Sequence, residues 1–143
     1  MLTNTPLARA LALAVLLAGF GVEARADGPP FPFGIWRNAK DTVHVDVRPC
    51  GSLACGYVIW ATPKALADAK KGGGPELLGS QLLKDFTPLG DDVWRGKVFV
   101  PDLGMTFSGT ARPVDGDGLK ARGCLVAGVV CRSLIWRRIA ESR

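Results

Sequence analysis

Residues 42–48 alternate without a break: Val43, Val45 and Val47 are apolar, and Thr42, His44, Asp46 and Arg48 between and around them are polar. A period of two puts the two sets on opposite faces of one strand, one buried and one solvated. The same period returns at 105–112, with Met105, Phe107, Gly109 and Ala111 set against Thr106, Ser108, Thr110 and Arg112. Residues 93–100 carry Trp94, Val98 and Val100 on one side, and 55–61 is apolar on both. Shorter stretches at 35–38, 77–88, 119–124 and 132–139 complete about eight predicted strands. Turns separate them about every ten residues: Ala39-Lys40-Asp41, residues 49–54, Gly90-Asp91-Asp92, Pro101-Asp102-Leu103-Gly104 and Asp115-Gly116-Asp117-Gly118.

One stretch breaks the period. Thr62 can cap a helix, Pro63 suits its first turn, and Ala65, Leu66, Ala67, Ala69 and Lys70 are good helix formers. Gly72-Gly73-Gly74-Pro75 ends it. The expected fold is therefore all-β: a small antiparallel meander of about eight strands closing into a barrel, with one short helix or lid. Closure also removes the two open sheet edges that promote aggregation.

The N-terminus follows a different pattern. Residues 1–9 are polar with one cation, 10–20 are unbroken apolar, and Ala24-Arg25-Ala26 supplies small residues around a cleavage site. This is the tripartite pattern of a signal peptide over 1–26, removed before Asp27. The apolar run falls short of the roughly 20 residues a spanning helix needs, and no later run reaches that length. A Pro-rich leader follows at 27–33, then a single domain at 34–140. The expected location is periplasmic or secreted, with no membrane span after cleavage.

The whole chain has 143 residues and a net charge of +5. Loss of residues 1–26 removes two arginines and one glutamate, leaving 16 basic and 12 acidic residues, net +4. All four cysteines, Cys50, Cys55, Cys124 and Cys131, lie beyond that point. An exported chain makes disulfides the default. Of the three possible pairings, the tight spacings favour Cys50–Cys55 and Cys124–Cys131. Neither pair has the Cys-x-x-Cys spacing of a redox motif.

Candidate chemistry is sparse. His44 is the one imidazole and alternates with Asp46 on a predicted solvated face. No serine stands in a nucleophile elbow. Asp91-Asp92 and Asp115-x-Asp117 sit at turns, where Asp is favoured by its own backbone hydrogen bonds, and they lack the ligand run of a calcium loop. No metal and no cofactor is expected. Arg95, Lys97, Arg112, Lys120 and Arg122 fall in adjacent strands and form a basic strip on the outer face. Nucleic acid does not suit an exported protein, whereas an anionic envelope component does.

Five pieces read together carry a resemblance: Gly34-Ile35-Trp36; Pro49-Cys50-Gly51 with Cys55-Gly56-Tyr57-Val58-Ile59-Trp60; Trp94-Arg95-Gly96-Lys97-Val98-Phe99; Pro101-Asp102-Leu103-Gly104-Met105-Thr106-Phe107; and Leu119-Lys120-Ala121-Arg122-Gly123-Cys124 with Trp136-Arg137-Arg138. Over 34–139 the chain resembles the exported bacterial proteins of the "domain of unknown function 2147" family. That resemblance implies a small secreted β-domain and supplies no activity. A second resemblance is to the lipocalin-type barrels, which begin with Gly-x-Trp and end with an arginine over that tryptophan. Here it is carried by Gly34, Trp36 and Arg137 or Arg138. In a closed meander the first and last strands are neighbours. Alternation puts Leu134, Trp136 and Arg138 on one face and Ile135, Arg137 and Ile139 on the other, so one arginine lies over Trp36, and Arg138 is the expected one.

The functional expectation is a non-catalytic, monomeric binding module, a barrel whose mouth, lined by Trp60, Trp94, Phe99 and Phe107, takes a small apolar or amphipathic ligand. The alternative is an envelope interaction or inhibitor module acting through surface loops, with the basic strip or residues 66–74 as the contact. An enzyme is the least favoured reading, since no catalytic constellation is visible.

Overall fold

The computed structural model describes residues 31–125 and 129–139. The signal-peptide pattern at 1–26, residues 27–30 of the leader and residue 140 lie outside the described residues. The chain runs β1 (Gly34–Arg37), β2 (Val43–Cys50), β3 (Leu53–Ala61), α1 (Pro63–Lys71), β4 (Gln81–Gly90), β5 (Val93–Val100), β6 (Met105–Val114), β7 (Gly118–Leu125) and β8 (Val130–Arg138). Each strand pairs antiparallel with the next, and β8 returns to β1, so the sheet is a closed eight-stranded barrel.

Local sequence accounts for most of these elements. The β1–β2 turn is held by Asn38, whose carboxamide oxygen accepts from the backbone N–H of Thr42 at 2.8 Å and of Val43 at 3.2 Å. At the β4–β5 turn Asp91 and Asp92 both adopt positive φ, 51° and 58°, the requirement of a two-residue hairpin turn. Thr62 caps α1 by accepting from the N–H of Ala65, and Pro63 occupies the first turn. Lys70 and Lys71 complement the helix dipole at its C-terminal end. On its exposed side Lys64 donates to Asp68 at 2.6 Å; the pair holds the Asp68 carboxyl below the usual carboxylate range and raises the Lys64 ammonium.

Several predicted boundaries move. The expected loop at 49–54 is only a two-residue turn at Gly51 and Ser52, because Pro49 pairs with Ala54 and Cys50 with Leu53. The strand expected at 77–88 begins instead at Gln81. Residues 77–80 form a turn, in which the Gly79 N–H donates to the Val58 carbonyl and the Val58 N–H to that of Ser80. Within β4, simple alternation also fails: Lys84 is opposite Lys97 and Thr87 is opposite Arg95, so Asp85 and Phe86 together face Gly96. Asp85 takes a positive φ of 54° in this bulge, which turns the Phe86 ring into the core.

The meander places its turns alternately at two rims. One rim carries the β2–β3, β4–β5 and β6–β7 turns together with Phe31–Phe33; we call it the plugged rim. The other carries the β1–β2 turn, α1 with residues 72–80, and the β5–β6 and β7–β8 turns; we call it the lid rim. Near the plugged rim Phe31 meets Trp94 edge-on at 5.0 Å and Phe86 at 6.2 Å. Trp36, Val45, Val47, Val58, Ala111 and Leu119 continue this core. From the lid side, buried Ala69 joins it, with Ala65 and Leu66 of α1 packed against it.

Along β3, β5 and β6 the barrel's waist is filled by its own side chains, whereas a Cβ on Gly123 of β7 would meet no atom within 4 Å. A Cβ on Gly56 would meet Val45 and Leu83, one on Gly96 would meet the Phe86 ring and the Lys84 carbonyl, and one on Gly109 would meet Val98. Gly56, Gly96 and Gly109 are thus the space into which larger neighbours pack.

Candidate functional site

Closure of the barrel depends on a few residues of β1 and β8. Trp36 is opposite Arg138 and Arg37 is opposite Arg137. The Arg138 guanidinium carbon stands 4.4 Å from the centroid of the Trp36 indole, and its Nη1 donates to the Phe33 carbonyl. The indole Nε1 in turn donates to the Pro32 carbonyl at 3.1 Å. Gly34 has φ 130°, a region side chains avoid, and a Cβ there would collide with Nη1 of Arg138. Arg137 points the other way and is exposed. This cluster plugs the rim.

Two local disulfides, Cys50–Cys55 and Cys124–Cys131, clip the β2–β3 and β7–β8 hairpins. They are the mark of an oxidising compartment. Among the described residues no helix is long and apolar enough to cross a membrane. Cys50, Cys55 and Asp85 gather within metal-ligand reach of one another, but both sulfurs are committed to the disulfide.

The four aromatic residues read from the sequence as a ligand lining are not brought together. Trp94 is buried against Phe31 near the plugged rim. Trp60 pairs with His44, their rings 4.4 Å apart, and stays 43% exposed. Phe107 is half-buried opposite Val98. Phe99 belongs to the other face of β5. The physical reason is strand parity: Trp94 and Phe99 are five residues apart and must face opposite ways. His44 itself is held by Asp41, with Nε2 2.6 Å from the carboxylate.

Phe99 is nevertheless only 9% exposed, because residues 74–81 fold over it on the outside of the wall. A Cβ on Gly74 would touch its ring edge at 2.9 Å. Between this flap and the wall lies an open groove of about 540 Å³. Phe99, Pro75 and Leu78 form its apolar surface, and Ser80, Gln81 and Thr106 its polar one. The Lys84 ammonium hangs 5.7 Å from the Phe99 centroid, and Glu76 stands on the flap. Lys84 and its cross-strand neighbour Lys97 give the groove a cationic margin. Sequence reading found Phe99 but missed Lys84, Gln81 and Thr106, since nothing local shows that the flap crosses β4, β5 and β6. The run Gly72-Gly73-Gly74-Pro75 was the available signal.

An eight-stranded closed barrel with a short helix, a Gly-x-Trp first strand and an arginine returning from the last one has the architecture of the lipocalin-like barrels. The chain belongs to the family described as "Uncharacterized protein conserved in bacteria (DUF2147)", which matches residues 34–138. Among solved structures it is similar to one titled "Protein HP1028 from the human pathogen Helicobacter pylori belongs to the lipocalin family". The TM-score is 0.60 at 16% identity, covering 76% of this chain and 83% of that one. At that identity the likeness speaks for the fold alone. No curated protein matches the chain.

Proposed function

We propose that the protein is an exported, non-catalytic binding module of the cell envelope that takes a small amphipathic ligand in the groove outside its wall. The observation that carries this reading is the groove itself, with the Phe99 ring as its apolar floor and Lys84 at its edge. Packing at Gly56, Gly96 and Gly109 narrows the interior and favours the site outside the wall. A ligand with an apolar body and an anionic head suits the site: the body covers Phe99 and Leu78, and the head meets Lys84. Ser80, Gln81 and Thr106 supply hydrogen-bonding groups for orientation.

Titration of the purified exported form with dodecanoate, followed by backbone amide NMR, tests this. Shifts confined to Gly79, Ser80, Gln81, Lys84 and Thr106, weakened at least about tenfold by Lys84→Glu, are the expected result. Shifts centred on Trp36 and Trp94 would place the ligand inside the barrel, and the absence of saturable shifts would remove the groove as a binding site.

A further inference from the structure

The exposed apolar side chains are not scattered. Among the described residues, Ile59, Trp60, Leu78, Leu103, Met105, Val129 and Val130 lie at or near the lid rim, Leu134 is exposed in the middle of β8, and Leu89 belongs to the plugged rim. Leu103 and Met105 flank the β5–β6 turn, and Val129 and Val130 lie at the β7–β8 turn. Each of these four is more than half exposed. Two adjacent hairpin tips thus present apolar groups to solvent at one end of the molecule.

The charges are just as lopsided. β5 to β8 contain eight cations and no acid, whereas β1 to β4 contain three cations and two acids. Like charges also face each other across strands, Arg112 against Lys120 and Lys84 against Lys97, an arrangement that costs stability in the free protein. The ion pairs among the described residues use Asp41, Asp46 and Asp68 and none of these cations. Lys97 and Arg122 lie three residues from the lid-rim ends of their strands, and Arg132 two residues from the start of β8. At about 3.3 Å per residue they stand roughly 7–10 Å behind the tips. Lys70 and Lys71 end α1, whose C-cap Gly72 packs against the Pro101 carbonyl beneath the same tip. Asp102 is the acid at that tip; Asp41, Asp68 and Glu76 also lie on the lid rim, with Asp41 paired to His44 and Asp68 to Lys64 and Lys71, while Asp91, Asp92, Asp115 and Asp117 are at the opposite rim.

From this we infer that the lid rim docks on an anionic lipid surface. The tips at Leu103, Met105, Val129 and Val130 enter the interface, and Lys97 and Arg122 meet the headgroup phosphates. The spacing matches the few ångströms to which interfacial apolar groups are buried, about 5–10 Å. A soluble polyanion would use the cations and leave the apolar tips without a role, so the lipid surface is the occupant that accounts for both features. The inference does not require a ligand in the groove, although Lys97 and Leu78 border both surfaces.

Co-sedimentation of the purified exported form with vesicles tests it, using pure phosphatidylcholine and a mixture containing a quarter phosphatidylglycerol. Binding to the anionic vesicles alone is expected, weakened by salt. Leu103→Ser with Met105→Ser, and separately Lys97→Glu with Arg122→Glu, should each lower the partition constant at least about tenfold. Leu89→Ser, at the other rim, should leave it unchanged, and the circular dichroism of each variant establishes that it is folded. Failure of the native protein to bind anionic vesicles overturns the inference. So does a folded tip variant that binds as well as the native protein, which would indicate simple polyanion attraction.

Discussion

Arg138 covers the indole of Trp36 from the last strand, 4.4 Å from its centroid, and the same guanidinium donates to the Phe33 carbonyl and fills the space beside Gly34. One side chain therefore ties together the leader, the first strand and the last strand at the seam of the barrel. β1 and β8 share only two registered residue pairs, so the seam relies on this contact more than any other pair of neighbouring strands does.

Arg138→Ala should lower stability by about 2–3 kcal/mol, combining a desolvated cation–π contact with a charged hydrogen bond. Arg137→Ala, at an exposed position of the same strand, should cost less than about 0.5 kcal/mol. Trp36→Ala should cost about 3–5 kcal/mol. Urea denaturation of the three variants measures the ranking, and equal losses for the two arginines would contradict it.

Gly34→Ala should destabilise by more than about 1 kcal/mol, because both its φ of 130° and the adjacent guanidinium oppose a Cβ. In an Arg138→Ala background the steric part disappears and the backbone part stays. A double-mutant cycle should therefore show coupling with a residual penalty. Full additivity would mean that the two residues do not crowd one another.

Inward glycines should differ according to what already fills their space. Gly96→Ala would push a methyl group into the Phe86 ring and should cost about 1–3 kcal/mol. Gly123→Ala has no atom within 4 Å of the new carbon and should change stability by less than about 0.5 kcal/mol. Thermal melts of the two variants compare them directly.

The leader should contribute more than its proline content suggests. Phe31 is 2% exposed and meets Phe33, Phe86 and Trp94. Phe31→Ala should cost about 3–5 kcal/mol, read by denaturant unfolding, whereas a freely solvated leader would give almost none.

Each disulfide closes a short ring, so each should contribute only about 2–2.5 kcal/mol in the chain-entropy view. Replacing either pair by serines should leave a folded barrel of lower melting temperature. Peptide mapping without reduction should give no peptide that crosslinks Cys50 or Cys55 to Cys124 or Cys131.

The strands, the helix cap at Thr62, the Asp91-Asp92 turn and the meander order were all legible in the sequence, because each depends on periodicity or turn chemistry within about ten residues. The Gly-x-Trp start and the alternation of β8 also indicated which arginine would reach Trp36, once closure was assumed. Other features depend on segments far apart in the chain and were settled only by tertiary structure. The bulge at Asp85 sends Phe86 inward because β5 offers Gly96 as the space for its ring. The flap at 74–81 covers Phe99 because the turn at 77–80 hydrogen-bonds to Val58 of β3, and no local pattern encodes that pairing. Strand parity told which residues share a face, but it could not tell which outward face another segment would cover. That is why the groove with Lys84 and Thr106, and the gathering of apolar tips at one rim, emerged only when the sheet closed.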